Sequence, residues 1–196
     1  MIDRRLFLAS GSAAALLTAQ PAWAKGGKGD AGLNRLLDAI ADDGIAHSPE
    51  YATALGLDKG KLAPLRAKLS PVTAAERHAD LARNKRWLGK LKAVPEAGLS
   101  SAGKRNKALA AYMLENRTIA AERFDLDGVQ NPYRISQRSG AYFDVPDFLG
   151  SQHPVNDAAD CEACLSRLSA FATVLDEDSA EQKAQSARGY TAPGWA

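Results

Sequence analysis

The stretch Thr73-Ala74-Ala75-Glu76-Arg77-His78-Ala79-Asp80-Leu81-Ala82-Arg83-Asn84-Lys85-Arg86-Trp87-Leu88-Gly89-Lys90-Leu91-Lys92-Ala93, with Pro95 just beyond it, decides the fold class. Thr73 and Glu76 have the capping-box spacing, in which a hydroxyl and a carboxylate each satisfy an orphan amide at a helix start. The spacing predicts a helix to about Ala93 that buries Leu81, Leu88 and Leu91, and Pro95 ends it. Arg77, Arg83, Lys85, Arg86, Lys90 and Lys92 are then expected mostly in solvent. A run of this kind on an amphipathic helix reads as a solvated face, with an anion-binding patch as the alternative.

The same period recurs on both sides. Downstream, a helix from about Ser101 to Phe124 carries Leu109, Tyr112, Met113, Asn116, Ile119, Ala120 and Arg123 on one stripe, Asn116 and Arg123 being edge positions with solvated tips. Upstream, Asp30 caps a helix bearing Leu33, Leu36, Leu37, Ile40 and Ala41, stopped by Gly44. Ser48-Pro49 starts a short helix through Tyr51 and Leu55 that ends at Gly56. A last helix begins after Asn156 or Asp157 and carries Cys161, Cys164, Leu165, Leu168, Phe171, Ala172 and Leu175 on its apolar stripe, terminated by Gly189. No stretch sustains β alternation. The expectation is an all-α chain, a bundle-like array of about five helices.

Between the last two helices, Asp125 to Asn156 shows no clear helical period. Loops beyond about 12 to 15 residues are uncommon unless functional or disordered. Val129, Tyr133, Ile135, Tyr142, Phe143, Val145, Phe148 and Leu149 argue against disorder, because apolar side chains at that density need cover. The segment therefore reads as one long ordered, aromatic-rich strap, with Asn131-Pro132 and Val145-Pro146 fixing extended or turned backbone and Gly140 a flexible point.

The chain has 196 residues, 25 Lys+Arg against 23 Asp+Glu, and a formal net charge of +2. That balance gives no electrostatic reason to bind nucleic acid. The amino terminus reads as a targeting segment. Arg4-Arg5 precede Leu6-Phe7-Leu8 and an Ala, Gly and Leu-rich run, and Ala22-Trp23-Ala24 offers small residues at the peptidase positions. The pattern resembles a twin-arginine signal over 1–24, followed by a flexible linker over 25–29. Its apolar run is too short for the roughly 18 residues of a membrane span. Export to the periplasm or beyond, with no stable anchor after cleavage, is the consequence.

Chemistry-bearing motifs are sparse. His47, His78 and His153 stand far apart, so no pair has the i, i+4 spacing that presents two imidazoles to zinc. Each reads as an ordinary surface or partly buried histidine. No nucleophile elbow, phosphate loop or dinucleotide fingerprint appears. Cys161-Glu162-Ala163-Cys164 is a CxxC, but Asp157, Asp160 and Glu162 surround it with negative charge and no βαβ unit precedes it. Two core-facing cysteines fit better than a redox catalyst, and a lone CxxC is half of a structural zinc site. No residue of the chain is assigned a catalytic, cofactor-binding or metal-binding role.

Tyr51-Ala52-Thr53-Ala54-Leu55-Gly56, Asn131-Pro132-Tyr133-Arg134-Ile135-Ser136-Gln137, Gly140 through Leu149 (GAYFDVPDFL) and Leu165-Ser166-Arg167-Leu168 resemble the start of the bacterial family catalogued as domain of unknown function 885. The resemblance implies a mostly helical, exported protein of several hundred residues, with an HExxH zinc motif and a GHH-type segment in its C-terminal half. It makes 30–196 the helical N-terminal region of a larger metallopeptidase-like domain. The HExxH half is missing from this sequence, so no catalytic residue carries over, and zinc is implied only for a full-length relative.

The leading expectation is thus an exported N-terminal fragment of a zinc-metallopeptidase-like protein, inactive alone, whose partner is the missing C-terminal part. The alternative is a free-standing helical module that binds a protein or peptide through the strap; a thiol oxidoreductase ranks third.

Overall fold

The computed structural model describes residues 27–128 and 133–191. The signal expected over 1–24, the first two residues of the linker expected over 25–29, and the Asn131-Pro132 turn lie outside the described residues. Six α-helices and a 3-10 segment follow in order: α1 Asp30–Ala46, α2 Pro49–Ala54, the 3-10 helix η1 Gly60–Ala67, α3 Ala74–Lys92, α4 Ser101–Phe124, α5 Ala141–Ser151 and α6 Ala158–Ala187. The described residues hold no strand, only an isolated bridge between Ser136 and Ser139. The chain is all-α.

Local chemistry sets most boundaries. The Thr73 hydroxyl accepts from the Glu76 amide at 3.2 Å, and Ser100 and Asp157 cap α4 and α6 in the same way. Pro49 occupies the first turn of α2, and Gly56, with φ of 66°, turns the chain away after it. Asp30 caps nothing from its expected position. It is the first residue of α1, and its carboxylate instead accepts from the Gly27 amide and from the amide and hydroxyl of Ser100, tying α1 to the start of α4. Gly44 lies inside α1, which runs on to Ala46.

Two apolar clusters organise these elements. In the first, Leu33 of α1, Leu91 of α3, and Leu99 and Leu114 around α4 are buried, with Trp87, Leu88 and Ile40 packed against them. The α3–α4 pair is an antiparallel hairpin, as Lys85–Glu122 and Lys92–Glu115 ion pairs show by running in opposite senses along the two helices. In the second cluster, Leu69, Ala141, Val145 and Val174 bring the chain after η1 together with α5 and α6, and Phe171 and Leu175 close it.

Four further expectations are corrected. The segment 125–156 is not a strap without helical structure, because Ala141–Ser151 is helical and buries Ala141, Val145 and Phe148. Pro146 hid it, as a proline sitting within the helix breaks one backbone bond without ending it. Of the stripe expected on α4, Leu109, Tyr112, Met113 and Asn116 face solvent, Tyr112 at 63% exposure, whereas Ala120 is buried as expected, together with Gly103, Leu114 and Thr118. On α6, Cys161, Leu165, Leu168 and Ala172 are likewise exposed, and Cys161 is not core-facing. Arg77, expected in solvent, is buried.

Candidate functional site

The inward face of α6 is polar. Asp160, Ala163, Arg167, Val174, Asp178, Glu181 and Gln185 are its buried residues, at spacings of three, four and seven that keep them on one side of the helix. Each long polar side chain among them reaches a different part of the chain.

Arg167 is fully buried, and its guanidinium donates to five neutral acceptors. They are the carbonyls of Lys68 at 2.8 Å, Leu65 at 3.1 Å and Pro49 at 3.3 Å, the Thr53 hydroxyl at 2.8 Å, and His153 Nδ1 at 2.7 Å. It also lies over the Phe148 ring, 4.7 Å from the centroid. Burial lowers its pKa from the ordinary arginine value, and the nearby charges of Glu50 and Asp58 oppose that shift. Because arginine only donates, His153 Nδ1 must accept. Its Nε2–H then donates to the Asp160 carbonyl at 3.0 Å, which fixes a neutral imidazole in one tautomer.

Asp58 continues the network. It accepts from the Thr53 hydroxyl at 2.9 Å and from Arg66 through two bonds of 3.0 Å, and Arg66 also donates to Asp160 at 2.6 Å. The Arg66 fork, chief among the causes, holds the Asp58 carboxyl below its ordinary pKa.

Towards the other end of α6, Asp178 accepts from the Ala141 amide at 2.6 Å and from Arg134, so it holds the start of α5. Gln182 accepts from the Ile135 amide at 2.9 Å. Glu181 accepts from buried Arg77 at 2.6 Å, and Arg77 also donates to Asp125 at 2.9 Å. Asp125 has φ of 53° at the end of α4, where it further meets His78 and Arg188. Arg77 foremost draws the Asp125 pKa below its ordinary value. Gln185 donates to Glu181 and leaves its own buried carbonyl oxygen without a partner among the described residues.

These charges are consumed in holding the fold. A cleft of about 470 Å³ touches these charges only at Arg134 and is bounded by α2, the chain after η1, α5 and Val174 of α6. Val72, Val145, Phe148 and Val174 form its apolar part, and Glu50, Asp144 and Asp147 line it beside Tyr51. Both Glu50 oxygens accept from Ser70, at 2.7 Å from the amide and 2.6 Å from the hydroxyl. Asp144 accepts from the Gly140 amide, whereas the exposed Asp147 carboxylate has no partner among the described residues.

The described residues do not fit a zinc site. His47 contacts Asp43, His78 contacts Asp125 and His153 lies under Arg167, so the three imidazoles sit in separate places. No group of three His, Cys, Asp or Glu side chains converges among the described residues. Cys161 is exposed, Cys164 half-buried, and both are free thiols. No helix among the described residues is long and apolar enough to cross a membrane.

Sequence reading missed the buried polar face of α6, because it sought the apolar stripe. The signal was present as Asp160, Arg167, Asp178, Glu181 and Gln185 at spacings of seven, eleven, three and four, which keep them on one side of a helix. Tyr51 and the segment 140–149 do line the cleft, together with Arg134, while Cys161 and Cys164 lie outside it.

Neither curated proteins nor solved structures yield a match to the chain. The family model for the bacterial proteins of unknown function (DUF885) matches residues 49–196, which span α2, α5, α6 and the cleft between them, and the chain belongs to that family.

Proposed function

We propose that the chain is the N-terminal helical part of an exported, zinc-metallopeptidase-like protein, a wall against which a catalytic half packs, with none of the catalytic groups in its own described residues. One observation carries the reading. The two longest helices turn apolar stripes outward, Leu109, Tyr112 and Met113 on α4 and Leu165 and Leu168 on α6, while α6 buries its charged side. An amphipathic helix in a finished fold does the reverse, so these stripes are surfaces for a further layer of protein. Export through a twin-arginine signal belongs to the same proposal and rests on Arg4, Arg5 and the Ala22-Trp23-Ala24 site.

The purified chain, dialysed against zinc and washed, should retain no stoichiometric metal and show no chelator-sensitive peptide hydrolysis. One zinc per chain, with cleavage lost in chelator, would overturn the reading. The cleft favours a second reading, a free-standing helical module that takes a peptide. A monodisperse chain that melts in one cooperative step would support the module; a molten or aggregating one, rescued by a family member's C-terminal half, would support the wall.

A further inference from the structure

The cleft joins two chemistries in one concavity. Its volume, about 470 Å³, falls in the range of about 300–1,000 Å³ typical of small-ligand sites. The interior is aliphatic and aromatic at Val72, Val145, Phe148 and Val174, whereas the charged lining holds three carboxylates, Glu50, Asp144 and Asp147, against one guanidinium, Arg134. Arg134 is already neutralised, since it pairs with Asp178 and with Asp127 at 3.0 Å. The field of the lining is therefore negative, and the Asp147 carboxylate has no partner among the described residues, only its backbone carbonyl accepting from the Ser151 hydroxyl.

Tyr51, exposed at 58%, adds an aromatic face to the same lining. An apolar floor beneath carboxylates and an aromatic ring suits a ligand with a hydrocarbon stem and a cationic tip. A simple anion is repelled, and a plain hydrocarbon leaves the Asp147 charge unanswered.

We propose that this cleft binds the lysine or arginine side chain of a peptide, the stem lying on Val145 and Phe148 and the cation between Asp147 and Tyr51. The inference uses the cleft's own residues and needs neither zinc nor a second half of the protein. Its test contains no metal and reads binding alone, so the hydrolysis experiment and this one fail separately.

The probe is the capped tripeptide glycyl-lysyl-glycine amide, titrated into the purified ¹⁵N-labelled full chain and followed by amide NMR shifts. Shifts should gather at Tyr51, Val145 and Asp147. The norleucine and Nε-acetyl-lysine counterparts, which keep the stem and lose the charge, should bind about tenfold more weakly. Asp147→Asn and Tyr51→Leu alter exposed side chains, so the fold survives, and each should weaken the lysine peptide about threefold. Equal binding of the norleucine peptide, shifts gathered elsewhere, or free putrescine binding more tightly than the peptide would each overturn the assignment.

Discussion

Arg167 concentrates more hydrogen bonds than any other buried side chain described here, and none of its five acceptors is a carboxylate. A buried charge without direct ion pairing is costly unless every donor is satisfied, and this one is held by groups from α2, η1 and the loop before α6. Arg167→Ala leaves those acceptors unpaired and should lower unfolding stability by about 3 kcal/mol or more, read from urea denaturation. Arg167→Lys keeps the charge but offers three donors on a flexible stem, so it should lose nearly as much. Asp58 gives a pH signature. Its carboxyl is held below the ordinary value of 3.8 in the fold, chiefly by Arg66, so the native state favours the ionised form. The contribution is present above that ordinary value and is lost as pH falls through the depressed folded one. Urea midpoints measured from about pH 6 to about pH 2 should drop at the acid end, and Asp58→Asn should be less stable near neutrality with a flatter acid limb.

At the scale of elements, α5 depends on how it begins. Gly140 has φ of 116°, a conformation other residues rarely adopt, and a Cβ there would lie 3.1 Å from the Asp178 oxygen that receives the Ala141 amide. Gly140→Ala should cost about 1–3 kcal/mol and speed hydrogen exchange across 141–151 before the α3–α4 hairpin is affected. Helix ends elsewhere were legible because they are local. Thr73, Pro49, Gly56 and Asp157 act through the backbone groups beside them, and α2, α3 and α6 begin or end close to where those residues stand. The apolar period of α4 and α6 was equally legible. Which side faces inward was not, since that depends on partners distant in sequence, such as Lys68 for Arg167 or Arg77 for Glu181. The strap was legible as a candidate binding surface, but the cleft was not, since it needs the chain after η1 to fold beside α2 and bring Glu50 and Tyr51 to the segment 140–149.

For the whole molecule, the two apolar clusters divide the labour. One holds α1, α3 and α4, the other α5, α6 and Leu69, and ionic ties bridge them, Arg77 to Glu181 and Asp125 to Arg188. The outward stripes add nothing to this internal cohesion. Leu165→Glu with Leu168→Glu should therefore leave the melting transition within about 0.5 kcal/mol of the parent. The same pair should reduce self-association in sedimentation velocity and dye binding to exposed apolar surface, because those two side chains are exposed at 56% and 49%. A large loss of stability would mean that the stripe is already covered within this chain.

Directional bonds on the buried side of α6 also dictate what the gene can tolerate. Greasy contacts can be exchanged for others of similar volume, but Asp160, Arg167, Asp178 and Glu181 must each arrive at a fixed angle around the axis. Inserting or deleting one codon between Arg167 and Asp178 would turn everything beyond it by about 100°, carrying Asp178 away from the Ala141 amide and Glu181 away from Arg77. This helix can drift in the letters of its outer face, yet its length is locked.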